Sequence, residues 1–112
     1  MYQTQAQIEA KKEIFAKEIN SFIKLFNQYF GFIPTHKQLG GLFNAVDPNV
    51  VMAEYMFSSG KNPFLPKHPE RDKLLTMVNN MGALISEFGW ITVIKEDEYG
   101  HLINVCGHEI KC

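Results

Sequence analysis

Cysteine is scarce in this sequence, and so is net charge. Two cysteines in 112 residues, Cys106 and Cys112, cannot supply a disulfide framework, so the fold has to rest on apolar burial, which a chain of this length can provide. Eleven basic against twelve acidic side chains leave a formal net charge of −1. No global field therefore draws the chain to nucleic acid or to an anionic membrane, and any such binding has to come from a local patch. No stretch approaches the roughly 18 apolar residues of a membrane span, and the opening MYQTQAQIEAKKEIF has no apolar signal-peptide core. The expectation is a cytoplasmic protein with free thiols and no contact with membranes. Repeats and low-complexity tracts are missing, as are a glycine-rich phosphate loop with its lysine and a nucleophile flanked by a base and oxyanion donors. These gaps point away from an enzyme, a cofactor and a small-molecule substrate.

What is abundant is phenylalanine. Nine of them offer large buried area to a single domain spanning residues 1–112. Thr4 and Gln7 make the T-x-x-Q of a capping box and open a helix over about 5–30, in which Phe15, Ile19, Phe22, Phe26 and Phe30 share one face. Glu13 and Lys17 lie one turn apart on the other side, and Gly31 stops the helix. Thr35 and Gln38 repeat the capping box ahead of a short helix through Leu39, Leu42 and Phe43. Gly40 and Gly41 weaken that helix by about 1 kcal/mol each relative to Ala, a cost that implies close backbone packing or mobility. Asp47-Pro48 starts a third helix that Gly60 ends. Pro63, Pro66 and Pro69 mark 61–69 as an extended connector, with Phe64 and Leu65 expected to pin it to the core. A fourth helix over 70–88 carries the stripe Leu74, Val78, Met81, Ile85 and Phe88, and Gly89 caps it. The period then changes to that of a hairpin over 90–106, with Ile91, Val93, Ile103 and Val105 expected on one face. The predicted class is mainly α (α+β): four helices and a C-terminal β-hairpin.

Leu39, Gly40 and Phe43, then Asn44 where a left-handed Gly is usual, then Val50 and Ala53, resemble a helix-turn-helix, although the turn is about one residue longer than the family's. The junction LISEFGWITVIKEDEYGHLI is similar to the helix-to-wing junction of winged-helix domains. Together the resemblance covers about 34–105 and implies a winged-helix-like fold that binds DNA. The charges fit it poorly. PNVVMAEYMFSS, in the place of the recognition helix, carries Asn49 and no basic residue, whereas base edges are read mostly by Arg, Lys, Asn or Gln. The wing tip KEDEYG holds three carboxylates, Glu96, Asp97 and Glu98. The bases gather instead at Lys61, Lys67, His68, Arg71 and Lys73, with Lys37 as an outlying member, enough for a few phosphate contacts.

The segment HLINVCGHEIKC holds both cysteines with His101 and His108. On one continuous strand Cys106, His108 and Cys112 share a side, but C-x-H-x₃-C is not the spacing of a structural zinc site, and His101 faces the other way. The expectation is no metal, with Cys106 a small buried residue closing the hairpin's inner face and 108–112 a tail or a short third strand. Two functions compete. One is regulatory binding of DNA through Lys37, Lys61, Lys67, Arg71 and Lys73. The other is a protein-protein interaction module, of the partner-blocking kind associated with phage and mobile elements, which the apolar circumference of the third helix favours: Val50, Val51, Met52, Tyr55, Met56 and Phe57 make it either fully buried or an exposed patch.

Overall fold

The computed structural model of the protein describes residues 4–65, 68–88 and 94–111. Within them four helices, α1 (Gln5–Phe30), α2 (His36–Phe43), α3 (Pro48–Ser58) and α4 (Pro69–Phe88), precede an antiparallel sheet of β1 (Ile94–Glu96), β2 (Leu102–Val105) and β3 (His108–Glu109) in that spatial order. The class is the one read from the sequence, with a third strand added to the hairpin. The helix starts follow their caps. The Thr4 hydroxyl accepts from the Gln7 amide at 3.2 Å while the Gln7 side chain accepts from the Thr4 amide at 2.9 Å. Thr35 and Gln38 repeat both bonds at the head of α2. Asp47 accepts from the Asn49 amide at 3.0 Å with Pro48 in the first turn of α3. Each bond satisfies an amide that helix geometry leaves without an internal acceptor. Gly31 ends α1 in the left-handed region at φ 82°. α4 begins one residue before the expected boundary because Pro69 itself is its first residue, where a missing amide costs nothing.

The apolar face of α1 is sealed. Phe15, Ile19, Phe22, Ile23, Phe26 and Phe30 are buried, and α1 packs chiefly on α4, whose Leu74, Val78, Met81 and Ile85 are buried with them. The rings make a continuous seam: Phe22 lies 5.0 Å from Phe43 and 6.1 Å from Phe26, and Phe26 lies 4.5 Å from Phe30 and meets Tyr55 edge-on at 5.8 Å. Leu39 and Leu42 of α2, Met52 and Met56 of α3, and Leu102, Val105 and Ile110 from the sheet region complete one core. Burying each large side chain stabilises by about 1.5–3 kcal/mol relative to exposure. Gly41 fills no close contact: a Cβ added there meets nothing within 4 Å, so close packing does not account for it.

The sheet departs from simple alternation. Lys95 pairs with Asn104, but Glu96 pairs with Leu102, so β2 bulges by one residue at Ile103. The extra residue turns Ile103 outward and puts Leu102 with Val105 on the core side. The expectation that Ile103 and Val105 share a face is thereby corrected, and Ile91 and Val93 lie outside the described residues, as does Gly89. Cys106 is also not where the strand reading put it. It is half-buried and sits with Gly107 in a two-residue turn between the paired Val105 and His108, at φ 54° and 86°. Such a turn needs positive φ at both central residues, and the Asn104 side chain steadies it by accepting from the Gly107 amide at 2.9 Å.

Candidate partner-binding surface

α3 is apolar around its circumference, and only its inner side is used by the core. Met52 and Met56 are fully buried; Val51 and Tyr55 lean on the core, and the Tyr55 hydroxyl donates to the Gln38 carbonyl at 3.2 Å. The outer face carries Val50 and Phe57, 56% and 59% exposed. Seven residues apart, they lie on one side of the helix and about 10.5 Å from each other along its axis. Beyond α3, Phe64 is 82% and Leu65 52% exposed, so neither pins the connector to the core as the sequence led one to expect. Phe64 stacks instead on the outside, its ring 5.8 Å from that of Phe57 and steeply inclined to it.

Polar bonds hold the connector in the place of an apolar pin. The Asn62 side chain accepts from the Phe64 amide at 3.0 Å. His68 Nε2 donates to the Asn62 carbonyl at 2.7 Å, and in the neutral ring Nδ1 accepts from the Tyr29 hydroxyl at 3.0 Å. Arg71 Nη1 donates to the Pro63 carbonyl at 3.1 Å. The turn presenting Phe64 is thus fixed from three directions, and a side chain already held in place loses little further freedom on contact with a ligand.

The same bonds occupy the basic residues. Arg71 is shared between Pro63 and Asp72, whose carboxylate lies 3.0 Å away. Lys61 stands over the Tyr29 ring at 4.8 Å, in a shallow open depression that also contains Glu70, Gln28 and Leu25. Lys37 in the first turn of α2 and Lys73 on α4 are exposed; Lys67 lies outside the described residues. Glu70 and Asp72 alternate with Arg71 and Lys73, so the charges of that turn of α4 cancel, which a count of its bases alone overlooks.

The acidic turn is tied inward as well. Glu96 lies 3.2 Å from His36 Nδ1, and Asp97 accepts from the amides of Tyr99 and His101 at 2.9 Å each. The His36 amide donates to the Gly100 carbonyl at 2.6 Å, giving the start of α2 an acceptor from the hairpin. Two of the three carboxylates therefore have partners within the fold, although Glu96 stays half exposed. In the α2–α3 turn Asn44 has φ −98°, so the left-handed residue expected there is absent.

Burial pushes the Cys106 thiol above its ordinary pKa, with Lys12 opposing the rise and Glu9 adding to it. A protonated, half-buried thiol is the reverse of an activated nucleophile. The Cys106-Gly107 turn also breaks the continuous strand on which Cys106, His108 and Cys112 were to share a side, and Cys112 lies outside the described residues. Among the described residues no three His, Cys, Asp or Glu side chains converge to hold a metal ion, and no helix is long and apolar enough to cross a membrane. The pairing of Phe57 with Phe64 is what sequence reasoning missed; its trace was the all-round apolar α3 followed by an aromatic residue between prolines. No protein-family model, curated protein or solved structure matches the chain.

Proposed function

We propose that this protein is a non-enzymatic regulatory binding domain whose ligand is another protein, held on the outer face of α3 and the connector. The carrying observation is the exposed Phe57–Phe64 pair, with exposed Val50 two turns back on the same side of α3 and exposed Leu65 next to Phe64 in the chain. Single exposed apolar residues are ordinary, but a contiguous set marks a partner site, and rigid aromatic anchors carry most of the energy at protein interfaces. The charges agree: α3 and its N-cap contribute Glu54 and Asp47 and no base. The test is affinity capture from lysate with nuclease present. A protein retained by the wild type and lost by the Phe57→Ser, Phe64→Ser double variant is the expected result; loss on nuclease treatment overturns it.

The second reading is duplex DNA bound on a winged-helix-like scaffold through Lys37, Lys61, Lys67, Arg71 and Lys73. The order of elements over 34–105 favours it. Fluorescence anisotropy across a salt series separates the two: phosphate contacts make affinity fall steeply with salt, and reversing Lys37 and Lys73 to Glu weakens it for all sequences. The protein-binding reading expects neither.

A further inference from the structure

The outward face of α3 is not uniformly apolar. Glu54 follows Val50 by four residues and precedes Phe57 by three, which puts all three on one side of the helix. It is exposed, and its carboxylate pairs with no basic side chain among the described residues. From Asn44 to Gly60 the only charged residues are Asp47 and Glu54. Among the described residues, two bases on the connector side are committed elsewhere, Arg71 to the Pro63 carbonyl and Asp72, and Lys61 to the Tyr29 ring. A carboxylate between two apolar anchors discourages association with anything wholly apolar, because covering it unpaired carries its desolvation cost. It favours a partner that brings a cation to that point.

Resting on the protein-binding reading, we propose that the occupant is an amphipathic helix of a partner protein whose contact stripe reads apolar, cation, apolar. Two apolar side chains two turns apart match the spacing of Val50 and Phe57, and a Lys or Arg one turn from each meets Glu54. Phe64, fixed beside Phe57, extends the apolar contact at one end.

The probe is a labelled synthetic helical peptide with Leu, Lys and Leu at i, i+4 and i+7 in an Ala/Gln host, read by fluorescence anisotropy. A second peptide has Glu in place of the Lys, and a third has Ala in place of both Leu. The Lys peptide is expected to bind and the Glu peptide to bind about tenfold more weakly or worse. Glu54→Lys reverses that ranking, and the Ala peptide does not bind. Phe57→Ser with Phe64→Ser removes binding of either leucine peptide; these positions are exposed, and unchanged circular dichroism confirms that the variants fold. Equal binding of the Lys and Glu peptides, or a ranking indifferent to Glu54→Lys, overturns the proposal. So does a dimer in sedimentation that the double serine variant dissolves, since a second copy then covers the face. If neither peptide binds while lysate capture still depends on Phe57 and Phe64, the helix chemistry falls and the protein-binding reading stands. If capture fails as well, both fall.

Discussion

Phe22, Phe26 and Phe30 on α1 and Phe57 on α3 with Phe64 beyond it are the same residue in two settings. The first set meets α4, α2 and α3 and is buried; the second is mostly exposed, with its two rings against each other. Periodicity tells which residues share a face but not whether anything covers that face. Coverage depends on how the elements are arranged. α1 is flanked by a partner helix with a matching stripe, whereas α3 spends its inner side on the core and, among the described residues, leaves Val50 and Phe57 of its outer side exposed. The remaining coverage is supplied by polar bonds, Asn62, His68 and Arg71 holding the connector so that Phe64 points outward.

The largest expected effect tests that contrast directly. Phe26→Ala leaves a cavity where four rings meet and should cost about 3–5 kcal/mol, a large part of the roughly 5–15 kcal/mol that stabilises a domain. Phe57→Ala and Phe64→Ala should each cost under about 0.5 kcal/mol, as surface changes do. Urea denaturation followed by circular dichroism measures all three. A cost near that of Phe26→Ala at Phe57 would mean that the outer face is covered, and the comparison would collapse.

Next in size is the clamp behind Phe64. His68→Ala removes bonds to Tyr29 and to the Asn62 carbonyl, at about 1 kcal/mol each. A loss of about 2 kcal/mol in the same assay is expected, together with weaker peptide binding because Phe64 is no longer held. A stability loss without any change in binding would separate the clamp from the surface.

Much of this fold was legible because its signals are local. Two capping boxes, Asp47-Pro48 and the stripes of α1 and α4 are statements about neighbours within one or two turns, and the structure carries them, the α4 stripe from Leu74 to Ile85, with the Phe88 side chain outside the described residues. What was not legible depended on residues far apart in sequence. Tyr29 and His68 are 39 positions apart and His36 and Glu96 are 60 apart, and no spacing rule foretells either. The bulge at Ile103 and the left-handed Cys106 are choices of register and turn that alternation alone cannot encode. For the candidate surface, the apolar circumference of α3 raised the question of burial or exposure, and only the packing answered it. Within the basic cluster, Lys61 and Arg71 each have a specific intramolecular partner, which composition and spacing do not show.

Open surface elsewhere should behave differently from the Phe57–Phe64 face. Gly41 and Gly82 lie inside α2 and α4, and a Cβ at either meets nothing within 4 Å. Replacing each with Ala should raise stability by about 1 kcal/mol through helix propensity alone, with no effect on peptide binding. A Gly41→Ala variant that folds normally yet loses binding would extend the functional surface onto α2.

The smallest effect concerns the covered side of α3 and the clamp together, and it has a definite sign. Burial is the largest cause raising the pKa of both Tyr55 and Tyr29 above the ordinary value. At Tyr55 the Glu54 charge adds to it; at Tyr29 the Arg71 charge opposes it, and Glu70 and Asp72 add to it. The folded protein therefore holds these protons at a pH where the unfolded chain, titrating near about 10, has released them. With fewer protons bound in the unfolded state, stability falls as pH rises. The contribution is fully present below the unfolded pKa and is lost as pH climbs through about 10 towards the folded values. The Cys106 thiol, raised by burial, acts in the same direction from about pH 8.5. Urea midpoints measured from pH 7 to 11 should be level at first and then decline. Tyr55→Phe removes part of the decline, and Glu54→Gln a smaller part, since its charge is the lesser cause. A midpoint that rises over this range would show that the tyrosines are more easily ionised in the fold than outside it. The Tyr55–Gln38 contact that seats the inner side of α3 would then not be the buried hydroxyl bond described here.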